Sequence, residues 1–369
     1  MHDLTENPIK TLLLSQYPLP YNKIGSWTTM YRNYLSTTHG IDIIICKAPE
    51  QPIQSVRYYF VKESLPLQIK MKLVKNNKLG YLKTLKKAID ENPGRLIIQI
   101  IDNTGLALEV IKMLDATGRR ADFYLQYFYH GFTPFENTII VEKVDEIVLL
   151  TERSHQAFKS KIGVMPATFS VLHNGIDTKK FFSVPIEQKR NLKMELGFQG
   201  KKIFTWCSQD RPKKGLDFIL QVWSRVYAEE HNMVLLVIGA TREIPQKGVS
   251  FLGRIPNDEL PRYYQATDCY LFPTLWDEPF GLSLIEAMHS GAFCIASALG
   301  GVPEVLQYGK FGKLVQNPTD PEEWEQAIND FLAAKYPIPE IPESVYTLDQ
   351  WNKGMNTIID NAKTALTQR

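Results

Sequence analysis

Short, nearly continuous apolar runs recur through both halves of the chain and alternate with longer stretches of helical periodicity. The runs are rich in Ile, Val and Leu and alternate little, which is typical of strands covered on both faces. Parallel strands need a covering crossover helix, so this order predicts an α/β fold with two doubly wound parallel sheets. The runs are 11–14, 41–45, 96–101, 123–129 and 147–150 in the first half, and 203–206, 233–238, 249–252, 270–272 and 293–296 in the second.

The length of 369 residues exceeds one typical core and suits two domains. Hydrophobic residues make up 44% and charged residues 22%, which is typical of a folded chain, and the net charge of +2 by itself implies no nucleic-acid partner. We expect one domain at 1–173 plus a last helix at 346–369, and a second domain at 174–345. Ligands of such sheets bind at the carboxyl ends of the strands, and two facing sheets would form a cleft.

A glycine turn in the second half carries the strongest chemical signal. Glu278 and Glu286 straddle Pro-Phe-Gly-Leu, in which Gly281 opens a helix, and Gly-Gly-Val-Pro-Glu follows at 300–304. Free N–H groups and the helix dipole at such a turn attract an anion. Two acids at a helix start are ordinary by themselves, but with both motifs present the arrangement favours a nucleotide-sugar, with Glu286 near the ribose and Glu278 beyond the phosphates.

Residues 273–305 resemble the donor-site signature of retaining glycosyltransferases with the GT-B fold, the family 4 type also called glycosyl transferases group 1. Two more stretches match in the same order, Val-Leu-His-Asn-Gly-Ile-Asp at 171–177 and Pro-Lys-Lys-Gly-Leu-Asp at 212–217. The first half matches only in layout. The resemblance implies two Rossmann-like domains facing across a cleft, the first binding the acceptor and the second the donor, with a C-terminal helix that crosses back to the first.

The resemblance also implies roles for individual residues. Glu278 would contact hydroxyls of the donor sugar, Glu286 the ribose, and the backbone amides of the glycine turn the diphosphate. The turn after 249–252 resembles the one that packs on the nucleotide base through backbone groups, so it does not reveal the base; UDP-sugars are favoured as the commonest donors in such enzymes. The implied donor-binding residues of this half are Glu286, Phe280, Gly281, Leu282, Ser283, Arg254 and Ile255.

Lys214 opens the helix that follows the run 203–206, where an ammonium group could neutralise a diphosphate leaving group. In the family a lysine does this together with an arginine about six residues before the glycine, but Ser208 and Gln209 occupy that neighbourhood. Arg211 follows later in the loop, and its long side chain either reaches the phosphate or stays solvated. No Asp-x-Asp pair occurs in the sequence, so we expect no metal or other cofactor beside the nucleotide-sugar.

His130 follows Tyr-Phe-Tyr at the carboxyl end of a predicted strand in the first half. A single histidine is often structural, whereas the resemblance implies that this one approaches the hydroxymethyl group of the donor sugar. Gly25 and Ser26 follow the first predicted strand, where the family has a glycine loop near the phosphates and the acceptor.

Residues 62–87, which begin and end with Lys62 and Lys87, contain eight lysines interleaved with apolar residues. Such a segment is either a solvated helix face or a surface that rests on anionic lipid and brings the chain to a lipid-linked acceptor. The four scattered cysteines predict buried free thiols in a reducing compartment. Without a signal-peptide pattern or a long apolar run, we expect a cytoplasmic protein, with peripheral contact at the inner face of the plasma membrane as a variant.

The resemblance implies retaining transfer of a sugar from a nucleotide to a hydroxyl acceptor, glycan or lipid-linked, in bacterial cell-surface polysaccharide or lipopolysaccharide synthesis. Lys214 and the helix amides would stabilise the departing diphosphate, and no carboxylate pair of the retaining-hydrolase kind is evident. The missing arginine leaves open a nucleotide-sugar-binding protein with little or no turnover on the same fold. An oxidoreductase is disfavoured because no Gly-x-Gly-x-x-Gly follows a predicted strand.

Overall fold

A computed structural model describes residues 8–21, 27–62, 65, 76–135, 138–162, 167–229, 232–242 and 245–369. The chain divides into two compact units, one comprising Met1–His173 with Leu348–Arg369 and the other Asn174–Thr347. Each unit is built on one parallel sheet. The predicted architecture of two Rossmann-like parallel sheets is confirmed.

The sheet of the first unit has seven parallel strands in the order β3-β2-β1-β4-β5-β6-β7. Strand order reverses between β1 and β4, where Leu12 lies opposite Ile98 in the register. Both faces of the central strands are covered, which explains why their sequences do not alternate. The strands are β1 Lys10–Leu14, β2 Ile43–Cys46, β3 Arg57–Phe60, β4 Leu96–Ile101, β5 Phe123–Phe128, β6 Glu146–Leu149 and β7 Thr168–Val171.

Six helices in the described part of the chain cover this sheet, and the last of them comes from the C-terminus. Trp351 of that helix packs edge-on against Tyr31, with ring centroids 5.1 Å apart, and Met355 is fully buried. The terminal helix therefore completes the core of the first unit. The helices are α1 Trp27–Thr37, α2 Leu79–Asp90, α3 Thr104–Asp115, α4 Ile139–Lys143, α5 Glu152–Ile162 and, after the second unit, α12 Leu348–Thr367.

The sheet of the second unit has six parallel strands in the order β10-β9-β8-β11-β12-β13. Its strand order reverses between β8 and β11, which Cys269 and Phe204 join in the register. The carboxyl ends of these two strands mark the expected ligand position. The strands are β8 Lys202–Cys207, β9 Met233–Ile238, β10 Val249–Gly253, β11 Cys269–Phe272, β12 Phe293–Ser297 and β13 Lys313–Val315.

Large aromatic side chains fill the core of the second unit, and Trp206, Trp223 and Trp324 are almost completely buried. Trp223 and Trp324 come from helices that pack on one face of the sheet. The helices of this unit are α6 Ile186–Glu195, α7 Leu216–Val226, α8 Leu260–Ala266, α9 Leu282–His289, α10 Val302–Val305 and α11 Pro321–Leu332.

Three strands lie outside the ten predicted runs, and all three are at or near a sheet edge. Two of them, Arg57–Phe60 and Thr168–Val171, are only partly buried, so they lack the continuous apolar sequence of a central strand. The third, Lys313–Val315, has three residues, too few to show a pattern. The four cysteines are free thiols, as predicted, with Cys207 half-buried and the others buried.

Candidate functional site

The loops that follow β8 and β11 are held against each other at the switch point of the second sheet. Gly215 has φ 69°, and a Cβ there would lie 1.9 Å from the carbonyl oxygen of Pro273. The N–H of Leu275 donates to the carbonyl of Lys213 at 2.9 Å, and Trp206 Nε1 donates to the carbonyl of Lys214 at 3.1 Å. Glycine is required at position 215 because any side chain would push the two loops apart.

Lys214 and Glu278 meet across these two loops. Lys214 Nζ lies 2.5 Å from Glu278 Oε2, and the side chains are only 19% and 11% exposed. Trp276 Nε1 donates to the same oxygen at 2.8 Å. Two donors therefore fix one carboxylate oxygen of Glu278.

The Gly-Gly pair at 300–301 packs against the backbone of Glu278. Gly300 has φ 58°, and a Cβ on it would lie 2.4 Å from the carbonyl oxygen of Glu278. The N–H of Gly301 donates to the same carbonyl at 2.8 Å. The Gly-Gly-Val-Pro-Glu motif thus belongs to the site through the backbone that it positions.

The glycine turn at 281 opens helix α9 as the sequence predicts. Gly281 has φ 93°, and no described side chain caps the helix, so the amide groups at its start can bind an anion. Tyr270 Oη lies 2.9 Å from Ser283 Oγ and 3.0 Å from the carbonyl oxygen of Cys207. This hydroxyl links the start of α9 to the end of β8.

Glu286 lies one turn further along α9, half-buried among Cys207, Tyr264 and Tyr270. Burial raises the pKa of Glu286 to about 8, against a smaller lowering by the Tyr264 hydroxyl. Burial also raises the pKa of Cys207 to about 12. A ligand that donates hydrogen bonds to Glu286 would favour the carboxylate and draw its pKa down.

Arg211 and Lys213 differ in how the loop holds them. Arg211 is exposed at the start of the short 3-10 turn Pro212–Lys214 and forms no ion pair with another described residue. Lys213 Nζ lies 3.2 Å from the centroid of the Trp276 ring. Sequence reasoning missed Lys213 and Trp276, although two adjacent lysines and a tryptophan two residues before the motif glutamate were visible signals.

The expected base-binding turn follows β10, with Arg254 exposed and Ile255 half-buried. The carbonyl of Gly253 accepts the N–H of Gly239 at 2.6 Å, and a Cβ on Gly239 would lie 2.0 Å from the carbonyl oxygen of Ser208. The ends of β8, β9 and β10 therefore converge on one edge of the sheet. The structure brings Lys214, Glu278, the start of α9 and Glu286 to this same edge.

His130 lies in the first unit, after β5. The backbone N–H of His130 donates to Asp102 Oδ1 at 3.2 Å, and the centroid of its ring lies 5.5 Å from that of Trp27. Burial lowers the pKa of His130, although the Asp102 carboxylate opposes this shift. His130 Nδ1 is buried and has no hydrogen-bond partner among the described residues. Gly25 and Ser26 lie outside the described residues.

Most of the basic segment 62–87 also lies outside the described residues, which include only 62, 65 and 76–87 of it. Lys86 Nζ of α2 pairs with Asp90 at 2.9 Å, and Lys87 Nζ pairs with Glu91, the residue after the helix, at 3.7 Å, as on a solvated helix face. Across the described ranges, no helix is long and apolar enough to cross a bilayer. Nor does any group of three or more His, Cys, Asp or Glu side chains in those ranges form a candidate metal site.

Comparison with known sequences finds similarity over the second unit, which contains the site. Residues 188–343 match the model described as Glycosyl transferases group 1. Spore coat protein SA of Bacillus subtilis is 24% identical over 229 residues, covering 56% of this chain and 61% of that protein. The phosphatidyl-myo-inositol mannosyltransferase of Mycobacterium tuberculosis is 31% identical over 156 residues, covering 37% of this chain and 41% of that protein. The chain thus spans less than two thirds of these curated relatives.

Solved structures match over nearly the whole chain. Sucrose-phosphate synthase from Thermosynechococcus elongatus superposes with a TM-score of 0.67 at 16% identity and covers 98% of both chains. Anabaena HepE in complex with UDP-glucose superposes with a TM-score of 0.66 at 17% identity, covering 98% of this chain and 95% of that one. These similarities establish the GT-B fold. The sequence match over residues 188–343 confirms the resemblance to glycosyl transferases group 1 that the motifs of this segment indicate.

Proposed function

We propose, on the premise that the second unit carries the sequence of the glycosyl transferases group 1, that this protein transfers a sugar from a nucleotide to a hydroxyl acceptor with retention. One observation carries the proposal. At the switch point of the second sheet, a lysine-bound carboxylate, Glu278, lies beside the uncapped start of helix α9. The amide groups at a helix start bind phosphate, and a carboxylate accepts hydrogen bonds from sugar hydroxyls, so a nucleotide-sugar matches both groups.

The proposed donor contacts follow the order of groups along the site. The amides of Gly281, Leu282 and Ser283, together with Lys214, take the diphosphate. Glu286 takes the ribose hydroxyls, and Glu278 Oε1 accepts a hydroxyl of the sugar. The remaining donor-binding candidates are Phe280, which is buried, and the base-binding turn at Arg254 and Ile255.

Catalysis then consists of stabilising charge on the departing nucleoside diphosphate. The bond from the anomeric carbon to the phosphate oxygen breaks with its electron pair on that oxygen, the acceptor oxygen bonds to the carbon from the same face, and the acceptor proton passes to the leaving phosphate. Lys214 and the helix amides are preorganised toward that charge, commonly the largest catalytic contribution. His130 is proposed to act on the donor sugar, as the family resemblance implies.

The proposed donor is a UDP-sugar and the proposed acceptor a cell-surface glycan or lipid. HepE, a structural neighbour, was solved with UDP-glucose, whereas a Corynebacterium glutamicum relative, 29% identical over 181 residues, is named as a GDP-mannose-dependent mannosyltransferase of a phosphatidylinositol mannoside. Thermal-shift measurements with UDP, GDP and ADP decide between the bases, because only the cognate nucleotide should raise Tm strongly.

The activity is tested by incubating the protein with the nucleotide-sugar that raises Tm and a panel of glycan and lipid-linked acceptors. We expect nucleotide release that depends on the acceptor, and a product whose anomeric configuration, read by NMR, matches the donor. Binding without release for every acceptor would favour the alternative, a nucleotide-sugar-binding protein without turnover. An inverted product would contradict retention.

Contact with anionic lipid through residues 62–87 is a separate proposal that rests on sequence alone. It predicts co-sedimentation with anionic vesicles at low salt and less with neutral ones, since each basic group near the surface contributes about 1 kcal/mol. Equal sedimentation with both vesicle types would contradict the proposed lipid contact, without affecting the proposed activity.

A further inference from the structure

The family resemblance implies a second cation about six residues before Gly215, but Ser208 and Gln209 occupy that neighbourhood. Arg211, the nearest arginine, has an exposed side chain and an extended backbone at the start of the 3-10 turn, and it pairs with no described acid. An unrestrained side chain at this point would have to be ordered by the ligand, at a cost in conformational entropy. The loop supplies a better-placed cation two residues later.

Lys213 is fixed by the indole of Trp276. Its Nζ lies 3.2 Å from the ring centroid, within the range of a strong cation–π contact. The indole is itself fixed, because Trp276 Nε1 donates to Glu278 Oε2 at 2.8 Å. Lys213 is therefore preorganised through a chain of two contacts that ends on a motif carboxylate.

Lys213 and Lys214 share this support. Lys214 Nζ contacts the same Glu278 oxygen at 2.5 Å and lies 5.4 Å from the centroid of the same indole. Lys213 thus lies near like charges. Burial lowers the pKa of Lys213 most, repulsion by Lys214 and Arg211 lowers it further, and attraction to Glu278 opposes the shift. Lys213 and Lys214 thus bring two positive charges against the single negative charge of Glu278, and a bound diphosphate would balance the excess.

We infer that Lys213, held on the face of Trp276, is the second cation that meets the departing diphosphate, in the role that the family gives to an arginine. The inference rests on the proposed function. Lys213 stays protonated throughout: it supplies charge to the phosphate oxygen that receives the electron pair of the broken bond and transfers no proton. Trp276 is a positioning residue that acts through Lys213 and Glu278.

The test compares Lys213→Gln with Arg211→Gln, a matched removal of one cation from the same loop. Binding of UDP, GDP, ADP and their monophosphates is measured by calorimetry, and turnover with the nucleotide-sugar that binds. We expect Lys213→Gln to weaken diphosphate binding and lower kcat by about tenfold or more while sparing the monophosphate, and Arg211→Gln to change each by less than about twofold. Lys213→Arg should restore most of the loss.

Two substitutions of Trp276 distinguish the proposed positioning of Lys213 from a general effect on stability. Trp276→Phe keeps an aromatic face without the N–H, and Trp276→Leu removes the face. We expect the loss of diphosphate binding to grow from Phe to Leu. In the double variant, Trp276→Leu should add little to the loss of diphosphate binding caused by Lys213→Gln, because Trp276 acts on the diphosphate through Lys213.

Two results would overturn the inference. One is a folded Lys213→Gln variant that binds diphosphate and turns over like wild type, and the other is a larger loss in Arg211→Gln than in Lys213→Gln. Both presuppose a wild-type protein that binds a nucleoside diphosphate, so they leave the proposed function standing. Wild-type protein that binds none of the nucleotides would overturn the proposed function and this inference together.

Discussion

Lys214 Nζ and Glu278 Oε2 lie 2.5 Å apart across two loops that are 64 residues apart in sequence. The pair joins the carboxyl ends of the two strands at which the order of the second sheet reverses. Each partner also has a proposed task of its own, the lysine on the phosphate and the carboxylate on the sugar. Removing either one therefore removes its own proposed contact with the donor and leaves the other charge largely buried and unpaired.

Glu278→Gln should separate sugar recognition from nucleotide binding. The amide keeps a hydrogen-bonding oxygen but loses the negative charge, so we expect kcat to fall by about a hundredfold while the Kd of the nucleoside diphosphate changes by less than about threefold. Kinetics with the cognate donor and calorimetry with the nucleotide measure the two effects. A variant that loses nucleotide affinity and turnover equally would mean that Glu278 acts on the diphosphate through Lys214 and not on the sugar.

Lys214→Gln should show the opposite pattern. We expect it to weaken nucleoside diphosphate binding by about tenfold or more and the corresponding nucleoside much less, because the lost charge faces phosphate. Lys189→Gln in the same unit is the control, since that lysine contacts Thr267 and Asp268, away from the switch-point loops. Equal losses for nucleoside and nucleoside diphosphate would indicate collapse of the loop rather than a missing cation.

Glu286 should make nucleotide binding dependent on pH. Its pKa of about 8 in the free protein lies above the ordinary value of 4.5, so the free protein holds this proton at neutral pH. Ribose hydroxyls favour the carboxylate, so binding should release a proton and become tighter as the pH rises toward about 8. Calorimetry in buffers of different ionisation enthalpy measures the release, which Glu286→Gln should remove.

The same group should affect the stability of the free protein. Because the pKa of Glu286 is higher in the folded than in the unfolded chain, its contribution is complete below about 4.5 and is lost as the pH rises toward about 8. Denaturant titrations across this range should show a steeper decline in the wild-type free energy of unfolding than in Glu286→Gln. Parallel curves would mean that Glu286 ionises normally.

Gly215→Ala should damage the site through the backbone. The new Cβ would lie 1.9 Å from the carbonyl oxygen of Pro273 at a residue with φ 69°. We expect a loss of more than about 2 kcal/mol in the free energy of unfolding and a loss of nucleotide binding. Gly197→Ala is a matched control because its φ is 81° but nothing lies within 4 Å of the new Cβ; it should cost about 1 kcal/mol and spare binding.

His130 should remain neutral through the physiological range. Burial lowers its pKa from the ordinary value of 6.5, so the folded state binds this proton less well than the unfolded chain and loses stability as the pH falls below about 6.5. NMR titration of the ring protons measures the shift. His130→Phe should lower turnover and abolish this acid-side loss of stability, and a ring that titrates at or above the ordinary value would contradict the assignment.

The sequence was most informative where burial on both faces left a continuous apolar run. Runs such as 96–101 and 233–238 coincide with β4 and β9, because central strands of a parallel sheet have no solvated face to interrupt them. The edge strand Arg57–Phe60 was missed for the converse reason, since its Arg57 and Phe60 side chains are exposed. Sequence patterns thus identified the centres of the sheets better than their margins.

Within the candidate site, glycines at fixed backbone positions mark the motifs that the sequence analysis singles out. Gly281 and Gly300 are required by their positive φ and by close contacts. The pairing of Lys213 with Trp276 could not be predicted, because it depends on how two loops are aligned across the switch point. Periodicity contains no information on that alignment, which the hydrogen bond from Leu275 to Lys213 fixes in the folded chain.

The return of helix Leu348–Thr367 to the first unit imposes an order on synthesis. Tyr31 and Tyr34 are synthesised early, but Trp351 and Met355, which complete the same core, leave the ribosome only after all of the second unit. Until then the nascent first unit exposes the apolar surface that this helix will cover. The second unit is contiguous from 174 to 347, so its core can form before the core of the first unit is complete.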